Sequence, residues 1–339
     1  MSLKKTENIL VAHYQRKKIG KVFSLESIGS FIREDCQNGF VFKKNINYFF
    51  SVGIFRRLLD SFLAIFRQGS INHIIGDVHY VGTFLFSKRT ILTIADCVSL
   101  SRLNGIKKYI IWFFWYYIPI KRAARIIVIS EFVKKELLKY VKCDPSKIKV
   151  IHVPILFELN KRNNFSNKSK PNILHIGSTK NKNLYRHVNA IKKIESTFIF
   201  VGEPSSEQFS IIKENCVDFK IMTNLSKTAL LEIYDSSDLL LFASTYEGFG
   251  MPILEAQSRG VPVITSDTCS MPEVAGNGAC FVDPFNVNEI NAAVRKILIE
   301  RNYREDLINK GYINISRFNR AKIAEEYRAT YKEIFNKNT

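Results

Sequence analysis

Eight short apolar runs, separated by segments of helical period, restrict what this chain can fold into more than any other feature. Residues 8–12, 73–75, 90–94 and 124–129 in the first half, and 173–176, 198–201, 239–242 and 261–265 in the second, have strand length. They lack the polar alternation of a sheet with one wet face, so they read as strands buried on both sides. Intervening segments such as 24–33 read as the covering helices, and the whole pattern predicts an α/β protein with parallel sheets. At 339 residues the chain is longer than one ordinary domain of about 100 to 200 residues, so two doubly wound domains are expected. Residues 160–171, polar and ending in Pro171, have linker composition. The expected division is therefore 1–160, 171–320 and a last segment, 321–339, whose residues 321–335 read as a helix.

Glu247-Gly-Phe-Gly-Met-Pro-Ile-Leu-Glu255 carries the clearest chemical signal. It follows the apolar run at 238–243 and precedes a helix read over 252–259, with proline at its first position and Gly260 beyond its end. The first turn of a helix presents unpaired amides and a positive dipole end, so the amides around Phe249, Gly250 and Met251 suit an anion, and Gly248 and Gly250 let the backbone come close. Glu247 stands at the loop entrance and Glu255 one turn into the helix. Carboxylates are strong acceptors for paired hydroxyls, as in folds where an acid holds a ribose. A ligand-free glycine turn with a solvated glutamate is the ordinary alternative, and spacing alone does not separate the two.

The surrounding residues do. The Glu247/Glu255 segment is followed by Gly260-Val-Pro-Val-Ile-Thr-Ser266, Met271-Pro-Glu-Val-Ala-Gly276 and Val282-Asp-Pro284, and preceded by Ile173-Leu-His-Ile-Gly-Ser178 with Lys182-Asn-Leu184. Together these resemble the C-terminal domain of retaining glycosyltransferases of family 4. Fainter likeness extends through residues 71–79, 91–96 and 126–131. The resemblance implies a GT-B fold: two Rossmann-like domains facing across a cleft, with the C-terminal helix returning to the first. It implies an acceptor-binding N-terminal domain, a C-terminal domain that binds a nucleotide-diphosphate sugar, and transfer of a hexose or related sugar with retention. Gly177, Ser178, Lys182, Gly248, Phe249, Gly250, Met251 and Glu255 would bind the donor. Lys182 would meet the diphosphate and Glu255 the ribose. Glu247 would face the transferred sugar as an electrostatic stabiliser, the favoured role, or as a nucleophile.

Two positions depart from the family pattern. Ser178 stands where many members have arginine, leaving Lys180 or the basic loop at Lys17, Lys18 and Lys21 as substitutes. Ala95 stands before Asp96 where histidine is usual, so Asp96, Asp77 or His79 would contact sugar or acceptor instead, or the donor differs, or activity is reduced. A lone histidine such as His79 is more often structural.

Residues 1–160 hold 26 Lys+Arg and 11 Asp+Glu, a net of +15, against +4 for the remainder. So basic a domain attracts polyanions, including anionic headgroups. Residues 107–122 form an aromatic run bracketed by basic residues, and 49–66 form a second apolar segment containing Arg56 and Arg57. Neither reaches the roughly 20 apolar residues of a membrane span, and each is either an interfacial segment or core. The expected partners are a nucleotide sugar, a saccharide or lipid-linked saccharide acceptor and an anionic membrane surface. A place in cell-surface polysaccharide or lipopolysaccharide synthesis would follow.

The six cysteines, at 36, 97, 143, 216, 269 and 280, show no paired spacing and are read as reduced in a cytoplasmic protein, either free or peripheral on the inner face of the plasma membrane. Neither histidine spacing nor an Asp-x-Asp pair suggests a metal, so no cofactor is expected. A nucleic-acid-binding protein would account for the charge but not for the two glutamates, and no recognition motif supports it. No Gly-x-Gly-x-x-Gly follows a predicted strand, which argues against a nicotinamide dehydrogenase. The closer alternatives are another GT-B enzyme, an epimerase or phosphorylase, and a non-catalytic homologue.

Overall fold

A computed structural model describes residues 8–17, 24–51, 53–160, 170–216 and 218–338. Lys18, Lys21 and most of the expected linker, residues 161–169, lie outside them. The chain forms two compact units, one made of residues 1–154 and 320–339, the other of residues 155–319.

Each unit is built on a six-stranded parallel sheet. In the first, β1 (Ile9–Gln15), β2 (Phe40–Ile46), β3 (Ile71–Ile74), β4 (Thr90–Ile94), β5 (Arg125–Val128) and β6 (Ile148–Val150) lie in the order β2-β1-β3-β4-β5-β6. In the second, β7 (Asn172–Ile176), β8 (Thr197–Val201), β9 (Asp218–Met222), β10 (Leu239–Phe242), β11 (Val263–Ser266) and β12 (Cys280–Val282) lie in the order β12-β11-β10-β7-β8-β9. The eight strands predicted from apolar runs are the four inner strands of each sheet. The four that escape prediction, β2, β6, β9 and β12, are the edges.

Burial explains this division. Every residue of β3, β4, β10 and β11 is buried, as a strand covered by helices on both faces must be. By contrast β2 exposes Val41, Lys43, Lys44 and Ile46, and β9 has no fully buried residue. The core of the second unit gathers Ile173, Phe198, Phe200, Leu239, Leu241 and Ile264 from the strands with Val188 and Val294 from the covering helices.

The last helix, Arg320–Asn336, belongs to the first unit and packs there through aromatic side chains. Tyr331 is fully buried, its ring 5.5 Å from Phe40 and 5.7 Å from His73. Its hydroxyl sits 2.7 Å from His73 Nδ1 and 3.3 Å from His13 Nε2, while His73 Nε2 meets Thr93 Oγ1 at 2.7 Å. Burial pushes His73 down to about 3 and His13 well below the usual histidine range, so both rings are neutral and the hydroxyl donates to one and accepts from the other. Tyr331→Phe removes both bonds and strands buried imidazole nitrogens, so it should destabilise the first unit by about 1–3 kcal/mol. Urea unfolding followed by circular dichroism checks this; a midpoint equal to wild type would mean the hydroxyl carries no weight.

Candidate functional site

Two loops leave the carboxyl ends of neighbouring strands, and the second unit's chemistry collects between them. β7 and β10 are paired in parallel. β7 is followed by Gly177 at φ 100, a short turn Lys180–Lys182, Asn183 at φ 62, and the helix Leu184–Ile191. β10 is followed by residues 243–249, Gly250 at φ 103 and the helix Met251–Ser258. That helix starts one residue earlier than proline placement predicts, so Pro252 is its second residue.

Hydrogen bonds staple the loops together. Thr245 N donates to Asn181 O at 2.8 Å, and Asn181 Nδ2 donates to Tyr246 O at 2.9 Å and to Glu247 Oε1 at 3.3 Å. Asn183 Nδ2 reaches Ala243 O at 2.9 Å and Pro284 O at 2.7 Å, tying in the segment after β12. Ser270 Oγ, beyond β11, lies between two carbonyl acceptors for its one proton, Glu247 O at 2.8 Å and Phe249 O at 2.9 Å. Behind them His175 Nε2 lies 2.9 Å from Gly177 O, the Nδ1 atoms of His175 and His187 are 2.9 Å apart, and His187 Nε2 lies 3.3 Å from Ala243 O. Burial lowers the pKa of both histidines, His187 to about 4, and the pair braces the two loops from behind. The motifs that carry the family resemblance thus converge on one end of one sheet, where ligands of such sheets bind.

Lys182 and Glu247 form the centre. Nζ donates to Oε1 at 2.7 Å, with side chains only 17% and 13% exposed. Lys182 Nζ also stands 4.5 Å over the Phe242 ring. Gly177 is required beneath it twice over: its φ favours glycine, and a Cβ would meet the Lys182 stem at 2.9–3.2 Å. Phe249 is buried and packs edge-on against Phe318 at 5.8 Å, so only its backbone is available to a ligand. Ser178 accepts from Gln208 Nε2 through its carbonyl at 2.6 Å, and Lys180 is exposed.

Glu255 sits one turn into the 251–258 helix and accepts from the Tyr234 hydroxyl at 2.7 Å. Part of the residue reaches solvent, but its carboxyl group is enclosed, and burial raises its pKa. The Tyr234 hydrogen bond and the ammonium groups of Lys182 and Lys227 pull the other way. Lys182 is therefore electrostatically coupled to both glutamates. Tyr234, Asn181 and Ser270 carry no motif, and sequence reasoning misses them; Asn183 lies inside the Lys182-Asn-Leu184 motif, but its bracing role is not read from it.

The residues expected from the first unit are described within that unit. Asp96 lies just beyond β4 beside Ala95, and its Oδ1 accepts at 3.0 Å from the N–H of Val98, the first residue of a short helix. His79 is buried with its ring 5.5 Å from Tyr116, and its Nδ1 has no hydrogen-bond partner. Burial lowers its pKa against the opposing influence of Asp77 and the backbone of Thr93 and Trp115. Lys17 lies 4.9 Å over Phe50. Among the described residues no three His, Cys, Asp or Glu side chains are grouped as a metal site.

Residues 157–313 match the family model described as glycosyl transferases group 1. O-antigen chain mannosyltransferase B of Escherichia coli is 38% identical over 86 residues, 25% of this chain and 23% of that protein. O-antigen chain mannosyltransferase RfbU of Salmonella typhimurium is 26% identical over 187 residues, 52% of each chain. The matched stretches thus span about a quarter and about half of these relatives. Anabaena HepE, solved with UDP and glucose, superposes with a TM-score of 0.77 over 96% of this chain and 100% of its own at 15% identity. That is a likeness of fold, and the fold is GT-B.

A buried carboxyl with a raised pKa favours the folded state while it is protonated, and that contribution is lost as pH rises through the folded value. Glu255→Gln, which keeps an acceptor for Tyr234, should therefore melt higher than wild type at pH 8 and converge with it near pH 4. Thermal melts across that range check the sign. A variant less stable than wild type at pH 8 would show that the carboxylate is well accommodated.

Proposed function

We propose that this chain, whose residues 157–313 belong to the glycosyl transferases group 1 family, is a retaining, metal-independent hexosyltransferase that takes a sugar from a nucleotide-diphosphate donor. The carrying observation is the meeting of Lys182, Glu247 and Glu255 at the Gly250 turn. The mannosyltransferase names of both curated relatives make a mannosyl group the first sugar to try. Their O-antigen designation favours a saccharide acceptor of a surface polysaccharide, presented on a lipid carrier.

In this reading the diphosphate sits against the amides of Gly250 and Met251, at the positive end of the 251–258 helix. The Lys182 ammonium has three donors, so it can hold a phosphate oxygen while keeping Glu247. Glu255 accepts from the ribose hydroxyls, with Tyr234 fixing its other oxygen. As the bond between the anomeric carbon and the phosphate oxygen breaks, negative charge grows on the diphosphate, and Lys182 and the amides are already aimed at it. Positive charge grows on the sugar, where Glu247 stabilises it. The acceptor hydroxyl bonds to the anomeric carbon from the same face, and its proton passes to the departing phosphate oxygen. Asp96 is the first-unit carboxylate proposed to meet sugar or acceptor; His79, buried, is the weaker assignment.

A thermal-shift screen against nucleotide sugars, including GDP-mannose and UDP-glucose, tests donor binding, because a ligand of the native state raises the melting temperature. With the responding donor, Glu255→Ala should weaken binding about tenfold or more. Glu247→Ala should bind within about threefold, since it releases Lys182 to the phosphates, yet lower kcat by about a hundredfold or more. Unchanged kinetics in both variants would overturn the assignment, and donor binding without transfer in wild type would establish a non-catalytic homologue.

A further inference from the structure

The helix Ile54–Ala64 is mounted inside out. Its buried residues are Asp60, Ser61 and Ala64. Asp60 is spent on the backbone, accepting from Tyr48 N at 2.9 Å and Phe49 N at 3.4 Å, and Ser61 Oγ donates to Arg57 O at 2.8 Å. The apolar side chains take the outer face. Phe55 is 89% exposed, Leu59 45%, Phe62 51% and Phe66, on the following turn, 73%. These positions recur at spacings of three and four, so they form one stripe along the helix, flanked by Ile54 and Leu58. A globular unit normally turns such a stripe into its core; here it faces solvent.

The charges around the stripe are of one sign. Between residues 41 and 67 the chain has Lys43, Lys44, Arg56, Arg57 and Arg67, and Asp60 is its only acid. Arg56 is exposed beside Phe55. Lys43 lies on the same side of β2 as Asn45, whose Nδ2 donates to Arg67 O at the end of this segment at 3.0 Å. Arg57 is folded back, 4.2 Å over Trp115, with Nη2 donating to Ser51 O at 2.6 Å and Asp77 acting on its charge. By contrast the aromatic run at 107–122 turns Trp115 and Tyr116 inward, and Trp112 Nε1 is tied to Tyr140 O at 2.8 Å.

We propose that the outer face of the 54–64 helix, with Phe66, is an interfacial docking surface for an anionic bilayer. An apolar stripe with flanking cations and no exposed acid in its own segment matches headgroups above acyl chains. Eleven residues are too few to span, and among the described residues no helix is long and apolar enough to cross a membrane. A second copy is the poorer occupant, because a two-fold contact would set Arg56 and Lys43 against their own counterparts with no carboxylate between them. The proposal deepens the reading of a lipid-linked acceptor and rests on it for its purpose, though not for its test.

The test is co-sedimentation, at physiological salt, with vesicles of phosphatidylcholine alone and of phosphatidylcholine mixed with phosphatidylglycerol. Wild type should pellet with the mixed vesicles. The triple variant Phe55→Ser, Phe62→Ser, Phe66→Ser should lose this by about tenfold or more, and Arg56→Glu with Lys43→Glu should reduce it toward the level on neutral vesicles. Ile106→Ser with Tyr109→Ser, on the aromatic run, should pellet as wild type. All substituted side chains point outward, and unchanged melting temperatures confirm folding. Wild type left in the supernatant, or a folded triple variant that pellets undiminished, would overturn the proposal. So would sedimentation-velocity evidence of a dimer that the triple variant abolishes. Thermal shift with nucleotide sugars on the same samples keeps the readings apart: donor binding without vesicle binding refutes this face alone, and vesicle binding without donor binding refutes the donor site alone.

Discussion

An ammonium and a carboxylate 2.7 Å apart, both largely withdrawn from water, fix the geometry on which the second unit's chemistry depends. Lys182 comes from the loop after β7 and Glu247 from the loop after β10, so their contact ties together two loops that leave strands already paired in the sheet. Removing either partner would leave the other charge poorly solvated, which is costly in such a setting. A phosphate oxygen arriving beside Lys182 eases that demand, because the anionic ligand adds the acceptor that a three-donor ammonium still lacks. Donor binding and the placement of Glu247 are therefore one event in this account. The glycine beneath the lysine stem and the aromatic ring under its ammonium are parts of the same device.

Glu255 shows the cost of such a site. Its carboxyl is enclosed against Tyr234, and burial opposes its ionisation. A structure selected for stability alone would place an amide or an apolar residue there. A carboxylate is useful if paired hydroxyls arrive to share it. The same tension appears in the first unit, where the 54–64 helix keeps Asp60 and Ser61 inside and phenylalanines outside. Each feature is poor in isolation and reasonable once an absent partner is supplied.

The inner strands were legible because burial on both faces leaves an uninterrupted apolar run. Edge strands are half solvated, and Lys43, Lys44 and Lys220 break the pattern in β2 and β9. The Glu247/Glu255 segment was legible because glycine turns and helix starts leave local marks. Tyr234, Asn181 and Ser270 were not, since a polar residue acquires its role only from a partner distant in sequence. The apolar period of residues 54–66 could be read, but the direction it faces could not. Periodicity defines a stripe, and only packing says whether the stripe points to core or to solvent.

The central claim is that Lys182 and Glu247 act on the donor as a unit. A double-mutant cycle with Lys182→Met and Glu247→Gln, read by isothermal titration of the nucleotide sugar that most stabilises the wild type, measures this directly. The account predicts a coupling of about 1 kcal/mol or more between the two substitutions in donor binding. Effects that add within about 0.3–0.5 kcal/mol would contradict it, and the ion pair would then be a structural contact that the ligand never senses.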